Sequence, residues 1–343
     1  MHTFETIAAT SKRWNEIVRS SFIYDFHHTA FYHTLENNHK AIMLYIEVNN
    51  DFIALPLIIR KIEGTKWFDA TSVYGYCGPI SNKKFSELNE SIFEKFTKET
   101  GNYFEQNNII AAFSRLHPLI DQNMAFNEFG AVVELNKTVA VDLTIAPEEQ
   151  KKQYRKSNKS ELNQLRRKGF VVEEAQSPKD VDAFIAIYLE TMNKVGAGKE
   201  YYFSEKYFHS FLKNTDFDSK LLLAKVEGKI VAGAIFTITD KIMQYHLAGS
   251  SEQYMKHTPM KLILDEARLL GNSLKLKTLH LGGGVGGEDN DSLFRFKSGF
   301  SKTFNQFSVW KRINDEDKYS FLVKKKSLQN SESNFFPLYR DGN

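Results

Sequence analysis

The sequence predicts an α/β (α+β) protein of two domains that repeat one plan, a mixed, mostly antiparallel sheet flanked by helices. The chain has 343 residues, whereas single domains usually hold about 100–200. Runs of β-type residues alternate with amphipathic helical segments throughout. Both halves place these segments in the same order: strand, strand, strand, helix, strand and a late strand. The two halves share this pattern without sharing residue identities.

The composition is that of an ordinary globular protein, with 42% hydrophobic and 25% charged residues. A net charge of only +3 means that any nucleic-acid contact must depend on a local basic patch. The single cysteine, Cys77, indicates a reducing compartment. Because we find neither a signal-type segment nor an apolar run of about 20 residues, we expect a cytoplasmic protein with no transmembrane segment.

The first half, residues 1–150, opens with a polar helix around Trp14. Two β-type runs joined by the turn VNND come next, which is typical of a hairpin. The remaining predicted elements are a strand over 67–76 that ends at Gly78-Pro79, a helix over 85–106, a strand over 109–114 and a hairpin across 131–143.

A basic segment, residues 151–169, comes after the break at Ala146-Pro147. It contains eight Lys or Arg and one acid, Glu161, and it predicts one connecting helix that Gly169 ends. Such a helix can contact RNA phosphates, although most charge-rich helices are simply solvated.

The second half, residues 170–313, is predicted to contain strand 170–175, helices 179–193 and 204–214, strands 220–226, 230–239 and 242–248, helix 259–270, strand 278–281, helix 292–298 and strand 305–313. The last segment, residues 314–343, is polar until FFPLYR, which we expect to pack onto the body.

The start of the helix at 259 is a candidate phosphate site. Thr258 suits the N-cap and Pro259 the first helical position. The helix N-terminus offers backbone N–H groups to an anion, and Lys256 and His257 lie just before it. The alternative is an ordinary capped helix on a sheet.

The glycine stretch GGGVGG, residues 282–287, requires positive φ angles or a close approach of the backbone to another group. It lacks the features of a nucleotide P-loop or a dinucleotide fingerprint. It is either a flexible turn or a substrate-lining loop, and in the second case Gly283 and Gly284 contact the donor.

The segment 291–300, DSLFRFKSGF, predicts a helix of about two turns. We expect Leu293 and Phe296 to face the core, and Phe294 and Lys297 to share the other face. A cation held beside an aromatic ring after a glycine loop is suited to stabilising an oxyanion. The alternative is a solvated lysine.

The acceptor residues that we predict come from both halves. Tyr74 and Tyr76 in VYGYCGP, with Arg115 and His117 in SRLHPLID, can hold an anionic substrate or form an interdomain packing surface. Lys194 and Tyr202 flank the loop GAGKE, which departs from the Walker pattern. We find no metal-ligand motif and expect no metal.

The block from the glycines to FKSGF, with the helix TPMKLILDEARLLG before it, resembles Fem-type peptidyltransferases and the GNAT or BioF2-like acyltransferases. The segments DATSVYGYCGPI, RRKGF and FFPLYR extend the resemblance over nearly the whole chain. The resemblance implies two tandem GNAT-like domains, with the second catalytic and Lys297 beside the reacting carbonyl. It also implies acyl-CoA or aminoacyl-tRNA as co-substrate.

The sequence departs from the family pattern at two places. The pyrophosphate loop Q/R-x-x-G-x-G/A matches Gln253–Thr258, where Lys256 and Thr258 replace glycines. The strand over 242–248 lacks the acid that many GNAT enzymes use as a base, which leaves His246 as the titratable alternative.

We therefore expect an N-acyltransferase that moves an acyl group to an amine of a small molecule, amino sugar, or lipid or cell-envelope precursor. One alternative is an aminoacyl-tRNA-dependent peptidyltransferase that acts on a peptidoglycan precursor, with tRNA bound by the basic helix over 151–168. Another alternative is a non-catalytic ligand-binding protein of the same fold.

Overall fold

The computed structural model describes residues 2–36, 39–285 and 291–342. The chain forms two compact units. Unit 1 consists of Met1–Asn136 and Gln306–Asn343, and unit 2 consists of Lys137–Asn305. These bounds differ from the divisions at 150, 169 and 313 that we expected from the sequence. No helix in the described ranges is both long and apolar enough to cross a bilayer.

The first elements in chain order are β1 (His2–Ala8), α1 (Lys12–Ser20), α2 (Ala30–Thr34), β2 (Lys40–Val48), β3 (Asp51–Lys61), β4 (Phe68–Thr71), β5 (Ile80–Ser81), α3 (Glu90–Gln106), β6 (Ile109–Arg115) and β7 (Ala131–Asp142). The elements after residue 142 are α4 (Pro147–Lys152), α5 (Lys156–Arg167), β8 (Val171–Glu174), α6 (Pro178–Val195), α7 (Glu205–Lys213), β9 (Asp218–Val226), β10 (Lys229–Ile238), β11 (Ile242–Ser250), α8 (Met260–Ser273), β12 (Thr278–Gly282), α9 (Ser292–Lys297), β13 (Thr303–Ile313) and α10 (Glu316–Lys325).

The two units have the same sheet plan. Unit 1 orders its strands β1-β2-β3-β4-β6-β13, with β5 also pairing with β3. Unit 2 orders its strands β8-β9-β10-β11-β12-β7. One pair in each sheet is parallel, β4 with β6 and β11 with β12, and the other pairs among the described residues of each sheet are antiparallel. The predicted fold class, two tandem α/β domains with mostly antiparallel sheets flanked by helices, is confirmed.

The last strand of each sheet comes from the other half of the chain. The end of β7 pairs with β12, as in Val141 opposite Leu279. The end of β13 pairs with β6, as in Val309 opposite Arg115. This exchange explains why the units divide within β7 and β13 rather than at 150 and 313. The hairpin predicted across 131–143 is wrong, because these residues form the single long strand β7.

Two other predicted elements are shorter than expected. The run over 67–76 is a strand only at β4, because Gly75 and Gly78 adopt φ angles of 114° and 84°, which a strand does not contain. The basic segment forms two helices, α4 and α5, since Tyr154 between them is buried beneath α8. Gly169 ends α5 with a φ of 78°, as predicted.

Each unit has its own hydrophobic core. The core of unit 1 contains stacked rings, with Phe126 centred 4.4 Å from Trp310. In the core of unit 2, Ile263 and Ala267 of α8 and Leu162 of α5 pack against the sheet. Burial of one large apolar side chain contributes about 1.5–3 kcal/mol, so these cores fix the strands that carry the polar groups of the candidate site.

The C-terminal segment packs onto unit 1. Leu322 of α10 and Tyr339 join a small apolar cluster with Ile62 and Ile110. The buried carboxylate of Asp69 accepts hydrogen bonds from the Tyr339 hydroxyl at 3.2 Å and from the guanidinium groups of Arg60 and Arg340. The tail is therefore held on unit 1 by apolar contacts with Ile62 and Ile110 and by polar contacts with Asp69 of β4.

Candidate active site

The parallel strands of unit 2 separate after three residue pairs. β11 and β12 pair from Ile242 opposite Thr278 to Gln244 opposite His280. β11 continues to Ser250 and β12 to Gly282 without further pairing between them in the described residues. The two strands therefore separate just before the glycine stretch begins.

A buried polar cluster lies where the strands separate. The Nδ1 atom of His280 lies 2.5 Å from Oε1 of Gln244, and its Nε2 atom lies 2.9 Å from Oγ1 of Thr138. Because an amide oxygen only accepts, Nδ1 carries the proton and Nε2 accepts from the hydroxyl. The Gln244 amide also donates to the carbonyl of Tyr245 at 3.0 Å. These bonds satisfy polar groups at the end of the ladder.

His280 was missed in the sequence reasoning. The available signal was a histidine in the otherwise apolar strand TLHLG. Its partners Gln244 and Thr138 are 36 and 142 residues away along the chain, so only the sheet topology brings the three together.

Lys297 lies at this divergence. It is the last residue of α9, and only 7% of the residue is exposed. Its Nζ atom donates to the carbonyl of Gly283 at 2.6 Å and lies 5.6 Å from the centre of the Tyr245 ring. Burial lowers the pKa of Lys297 to about 7, and the charge of Asp291 opposes this shift.

The helix face that we predicted for Lys297 needs correction. Lys297 is the buried residue of α9, whereas Leu293 and Phe296 are only partly buried. Phe294 and Phe296 both pack against the edge of the unit 2 core. The short helix therefore presents its lysine, not Leu293, to the protein interior.

Asp291 joins the glycine stretch to α9. Its carboxylate accepts from the backbone N–H of Phe294 at 2.6 Å, which caps the helix, and from that of Val285 at 3.1 Å. A Cβ atom on Gly284 would lie 2.1 Å from the carboxylate oxygen, so a side chain at this position would displace the Asp291 carboxylate. Of the predicted glycine stretch 282–287, residues 286 and 287 lie outside the described residues.

The start of α5 holds the turn that comes after Lys297. The backbone N–H of Arg155 and the side-chain amide of Asn158 each donate to the carbonyl of Gly299 at 2.9 Å. The Arg155 guanidinium donates to the hydroxyl of Ser298 at 2.9 Å. The basic segment therefore positions the block around Lys297 directly, a role that its charge pattern alone did not indicate.

Solved structures with the same fold as this chain have low sequence identity to it. The structure of FemX has a TM-score of 0.72 and 12% identity, and the match covers 92% of this chain and 99% of that chain. L-PGS from Bacillus licheniformis has a TM-score of 0.61 and 14% identity over 94% and 98% of the two chains. The C-terminal domain of a putative lysylphosphatidylglycerol synthetase from Agrobacterium fabrum has a TM-score of 0.59 and 13% identity over 92% and 95%. At these identities the likeness shows the fold alone.

The family model described as "Acetyltransferase (GNAT) domain" matches residues 152–308. The matched residues are slightly less than half of the chain, and they are similar to this family over that range. The resemblance to GNAT and Fem-type acyltransferases that the sequence indicated is thereby confirmed, for the Fem type at the level of the fold. No curated protein matches the chain significantly in sequence.

In the GNAT domain, His246 and Lys297 make different contacts. His246 lies at an irregularity of β11, where the register with β10 steps from Ile235 opposite Leu247 to Phe236 opposite Tyr245. Its ring stacks on Phe211 of α7 at 4.9 Å, and its Nε2 atom lies 3.4 Å from the Tyr207 hydroxyl. His246 therefore contacts α7, whereas Lys297 contacts Gly283 and the ring of Tyr245.

The predicted donor residues of the GNAT domain lie before α8. Lys256 and His257 are exposed on a 3₁₀ helix, and His257 lies 3.4 Å from the Lys168 amine. Thr258 was predicted to cap α8, and this is wrong. It has a φ of 53° and its hydroxyl donates to Glu161 at 3.1 Å, so it ends the preceding turn while α8 begins at Met260.

Lys194 and Tyr202 lie near the C-terminal end of α6. Lys194 forms an exposed ion pair with Glu252 at 2.7 Å. The Tyr202 hydroxyl donates to Asn193 at 3.0 Å. Both side chains are exposed or partly exposed on the domain surface, and their acceptor role stays a prediction.

The acceptor residues predicted in unit 1 have two different environments. Tyr74 is exposed, and the Arg115 guanidinium lies 5.3 Å from its ring centre and 5.2 Å from that of Phe113. Tyr76 packs against His27 and Phe307. His117 is buried, whereas Tyr76 and Arg115 are partly exposed, so Tyr74, Tyr76 and Arg115 are the members of this set with surface that a ligand can contact.

His117 belongs to a buried cluster with Asp25 and His27, whose ligand-type atoms all lie within 4.8 Å of one another. The Asp25 carboxylate accepts from Nδ1 of His27 at 3.2 Å and from Nε2 of His117 at 3.1 Å. Nδ1 of His117 accepts from the N–H of Leu119 at 3.2 Å, so Nε2 carries the proton. Because a metal-binding imidazole normally donates from its second nitrogen, these bonds fit a hydrogen-bonded core rather than a metal site.

Proposed function

We propose that this chain is an N-acyltransferase that moves an acyl group from an activated donor, acyl-CoA in the first instance, to an amine. The acceptor would be a small molecule, an amino sugar, or a lipid or cell-envelope precursor. The observation that carries the proposal is the buried amine of Lys297 at the divergence of β11 and β12. The match of the surrounding residues to a GNAT acetyltransferase model supports this reaction class.

The ammonium form of Lys297 has donors available for an oxyanion. A lysine ammonium has three N–H donors, and within the described residues one of them is used, by Gly283. The amine of the acceptor attacks the donor carbonyl, a C–N bond forms, and negative charge develops on the carbonyl oxygen. Burial strengthens the stabilisation of this charge. Collapse of the intermediate breaks the C–S bond and releases the thiolate, which takes up the proton removed from the amine.

The proton of the attacking amine must be removed. We assign this step to His246, because an imidazole can accept a proton near neutral pH and this one lies on β11 next to Tyr245. Lys194 and Tyr202 of unit 2 are proposed to contact the acceptor, and the acceptor role of Tyr74 and Arg115 in unit 1 stays a prediction from the sequence. Lys256 and His257 are proposed to contact the donor.

A peptidyltransferase that uses aminoacyl-tRNA is the second candidate. The observation that favours it is the exposed basic residues of α5, such as Lys156 and Arg167, which can contact RNA phosphates. However, Arg166 already pairs with Asp265 and Glu266, and Arg155 holds Ser298. Part of the positive charge is therefore used inside the domain, which ranks this donor second.

A transfer assay with labelled acetyl-CoA and labelled aminoacyl-tRNA, each offered to the same panel of amines, tests the proposal. Lys297→Met should lower turnover by about 100-fold or more, since the loss of one oxyanion donor costs about that much. Lys302→Met, an exposed lysine of the same block, is the control and should keep full turnover. Transfer that survives in Lys297→Met would overturn the assigned mechanism, and binding without transfer from either donor would favour a non-catalytic ligand-binding protein.

A further inference from the structure

A cleft with a volume of about 940 Å³ lies in unit 1, along the outer face of α3. Its floor is a stripe of α3 residues that are spaced three or four apart, and its walls are the segment 124–129 and Arg312 of β13. Ile92 and Phe96 of the same helix face the core, so the stripe is a separate face of α3. The proposed acyl transfer uses none of these residues.

Arg312 is fixed in the wall of this cleft with donors left over. Its guanidinium carbon lies 4.0 Å from the centre of the Phe129 ring. Its Nε atom donates to Oδ1 of Asn314 at 2.7 Å, and the Asn314 amide donates to the carbonyl of Ile109 at 3.0 Å. Within the described residues the guanidinium makes no other hydrogen bond and no ion pair. The N–H groups of its two terminal nitrogens are therefore available to a ligand, and their orientation is already set.

The charge of Arg312 is not balanced by a carboxylate of the described residues. Arg312 is partly buried, and burial lowers its pKa without an opposing contribution from any described acid. Three exposed acids line the same cleft, Glu90, Glu94 and Glu128, and none of them forms an ion pair with the guanidinium in the part of the chain that the structure describes. A guanidinium that is held in place without a carboxylate of its own is suited to bind one from a ligand.

The other charges of the cleft indicate what else the ligand carries. The lining has two cations, Lys98 and Arg312, and three glutamates, so its formal charge is −1. This charge disfavours a phosphate or any other polyanion, and it favours a ligand that carries amines in addition to its carboxylate. The glutamates come from two elements, α3 and the segment 124–129, and Phe93 and Met124 add apolar contact surface.

Gly101 keeps the backbone of α3 open at the floor of the cleft. It lies within a 17-residue helix, where glycine is less favourable than alanine. A Cβ atom on Gly101 would meet Phe129 at the ordinary contact distance of 3.6 Å, and outside its own helix it would meet no other described residue within 4 Å. Packing therefore does not require this glycine, whereas a ligand chain that closely approaches the helix does.

We infer that this cleft binds the C-terminal segment of a basic peptide or protein, with the terminal carboxylate on Arg312 and the basic side chains on the glutamates. A guanidinium and a carboxylate can form two parallel hydrogen bonds. The stripe from Glu90 to Asn102 is about 18 Å long at about 1.5 Å per helical residue. About five residues of extended chain, at about 3.3 Å each, match this length. Such binding is independent of the proposed acyl transfer.

Titration calorimetry at low ionic strength, where charge interactions are least screened, tests the inference. The probe is an N-acetylated pentapeptide that contains two lysines and ends in a leucine with a free carboxylate. The same peptide with a C-terminal amide should bind at least about tenfold more weakly, as expected for the loss of a charge-assisted bond. Because both peptides are offered to the unmodified protein, this comparison does not depend on how any variant folds. Equal affinity for the two peptides, or no binding at millimolar concentration, would overturn the inference.

Variants of the cleft locate the bound carboxylate. Arg312→Gln should weaken the binding of the free-acid peptide about tenfold and leave that of the amide unchanged. Lys311→Gln, at the neighbouring cation of β13 outside the cleft, is the matched control and should change neither. Gly101→Ala should weaken the binding of both peptides without lowering the melting temperature, because alanine is the better helix former. Equal effects of Arg312→Gln and Lys311→Gln would contradict a carboxylate on Arg312.

A second pair of variants tests the basic side chains of the ligand. Glu94→Gln should weaken the lysine-containing peptide and leave a peptide with norleucine in place of lysine unchanged, since only the first carries amines. Glu105→Gln, at an exposed position near the other end of α3, should change the binding of neither peptide. If free lysine binds as tightly as the pentapeptide, the cleft holds a single amino acid, and the assignment to an extended C-terminal segment is wrong.

Discussion

The parallel strand pairs of the two units begin in the same way and end differently. In unit 1, β4 and β6 pair over three positions, and the chain then returns so that Cys77 forms a parallel bridge with Leu116 and its backbone N–H donates to the carbonyl of Arg115 at 3.0 Å. In unit 2, β11 and β12 also pair over three positions, but the described residues then diverge towards Lys297.

The side chains that pack where the two parallel strand pairs end also differ between the units. The loop of unit 1 packs on the cluster of Asp25, His27 and His117, in which donors and acceptors are matched. A Cβ atom on Gly75 would lie 2.2 Å from the His27 ring, so the loop fits closely. Unit 2 instead places the Lys297 amine there, and within the described residues this amine donates one hydrogen bond, to Gly283. One sheet plan can therefore hold a closed hydrogen-bonded cluster or a buried amine, depending on which residues come after the first three pairs.

The largest expected change in stability comes from Asp25→Asn in unit 1. Burial raises the pKa of Asp25, but hydrogen bonds from His117 and His27 outweigh it and hold the pKa well below its ordinary value. The Asp25 carboxylate accepts hydrogen bonds from both histidines and from the backbone N–H of Phe26. Because an asparagine has only one acceptor oxygen and no charge, the free energy of unfolding should fall by about 2–4 kcal/mol. Denaturant unfolding measures the loss.

The pH dependence of that loss has a definite sign. A carboxyl group with a depressed folded-state pKa stabilises the protein above its unfolded-state pKa, about 3.9, and this stabilisation disappears as the pH falls further. The difference between the unmodified protein and Asp25→Asn should therefore be complete at pH 7 and shrink below about pH 4. Asp121→Asn, at an exposed position, is the control. A loss below about 0.5 kcal/mol, the range of ordinary surface changes, would mean that the unit 1 cluster is not a structural core.

The next largest effect is a gain in stability from Lys297→Met in unit 2. Burial of an amine with one hydrogen bond is costly, so its removal should raise the free energy of unfolding by about 1–3 kcal/mol. Because the folded-state pKa is lowered to about 7, the unmodified protein loses stability as the pH falls from about 10.4 towards that value. The gain should accordingly be larger at pH 7 than at pH 10.

Thermal or denaturant unfolding at both pH values checks this prediction. Lys302→Met should change the free energy of unfolding by less than about 0.5 kcal/mol. A stabilised but inactive Lys297→Met variant would identify a residue kept for function at the expense of stability. If Lys297→Met is instead less stable than the unmodified protein, Lys297 stabilises the fold as Asp25 does. The proposed difference between the two units would then be wrong.

The smallest effect is expected for Gly284→Ala. The added Cβ would collide with the Asp291 carboxylate, so Asp291 should no longer accept hydrogen bonds from Phe294 and Val285. The free energy of unfolding should fall by about 1–2 kcal/mol, as for the loss of a helix cap. Asp291→Ala should cost a similar amount. If both act through one contact, the double variant should lose much less than the sum of the two single losses. If denaturant unfolding shows additive losses, Gly284 and the Asp291 cap stabilise the protein independently, which would contradict this prediction.

The parts of the structure that were predictable from sequence depend on local pattern. The fold class and α8 are explained by periodicity, and α9 and the ending of α5 at Gly169 by capping chemistry. The candidate catalytic role of Lys297 was predicted from the resemblance of FKSGF to Fem-type peptidyltransferases. Its burial was not predicted, because α9 was read as an isolated amphipathic helix and Lys297 was placed with Phe294 on its outer face.

The features that were missed depend on contacts between distant residues. The cluster of His280, Gln244 and Thr138 forms only because β7 and β11 both lie beside β12. Arg155 and Asn158 reach Gly299 across more than 140 residues. The exchanged final strands and the left-handed Thr258 likewise depend on tertiary packing, which overrides local preference.

The pKa of Lys297 is the most direct test that unit 2 holds a buried, reactive amine. The ¹³Cε resonances of protein labelled with ¹³C-lysine can be followed from pH 5 to pH 12, with Lys297→Met to assign the signal. We predict one resonance with a midpoint near pH 7, absent from Lys297→Met, while the exposed lysines titrate at about 10.4. A Lys297 resonance that titrates with the exposed lysines would contradict a buried, reactive amine in unit 2.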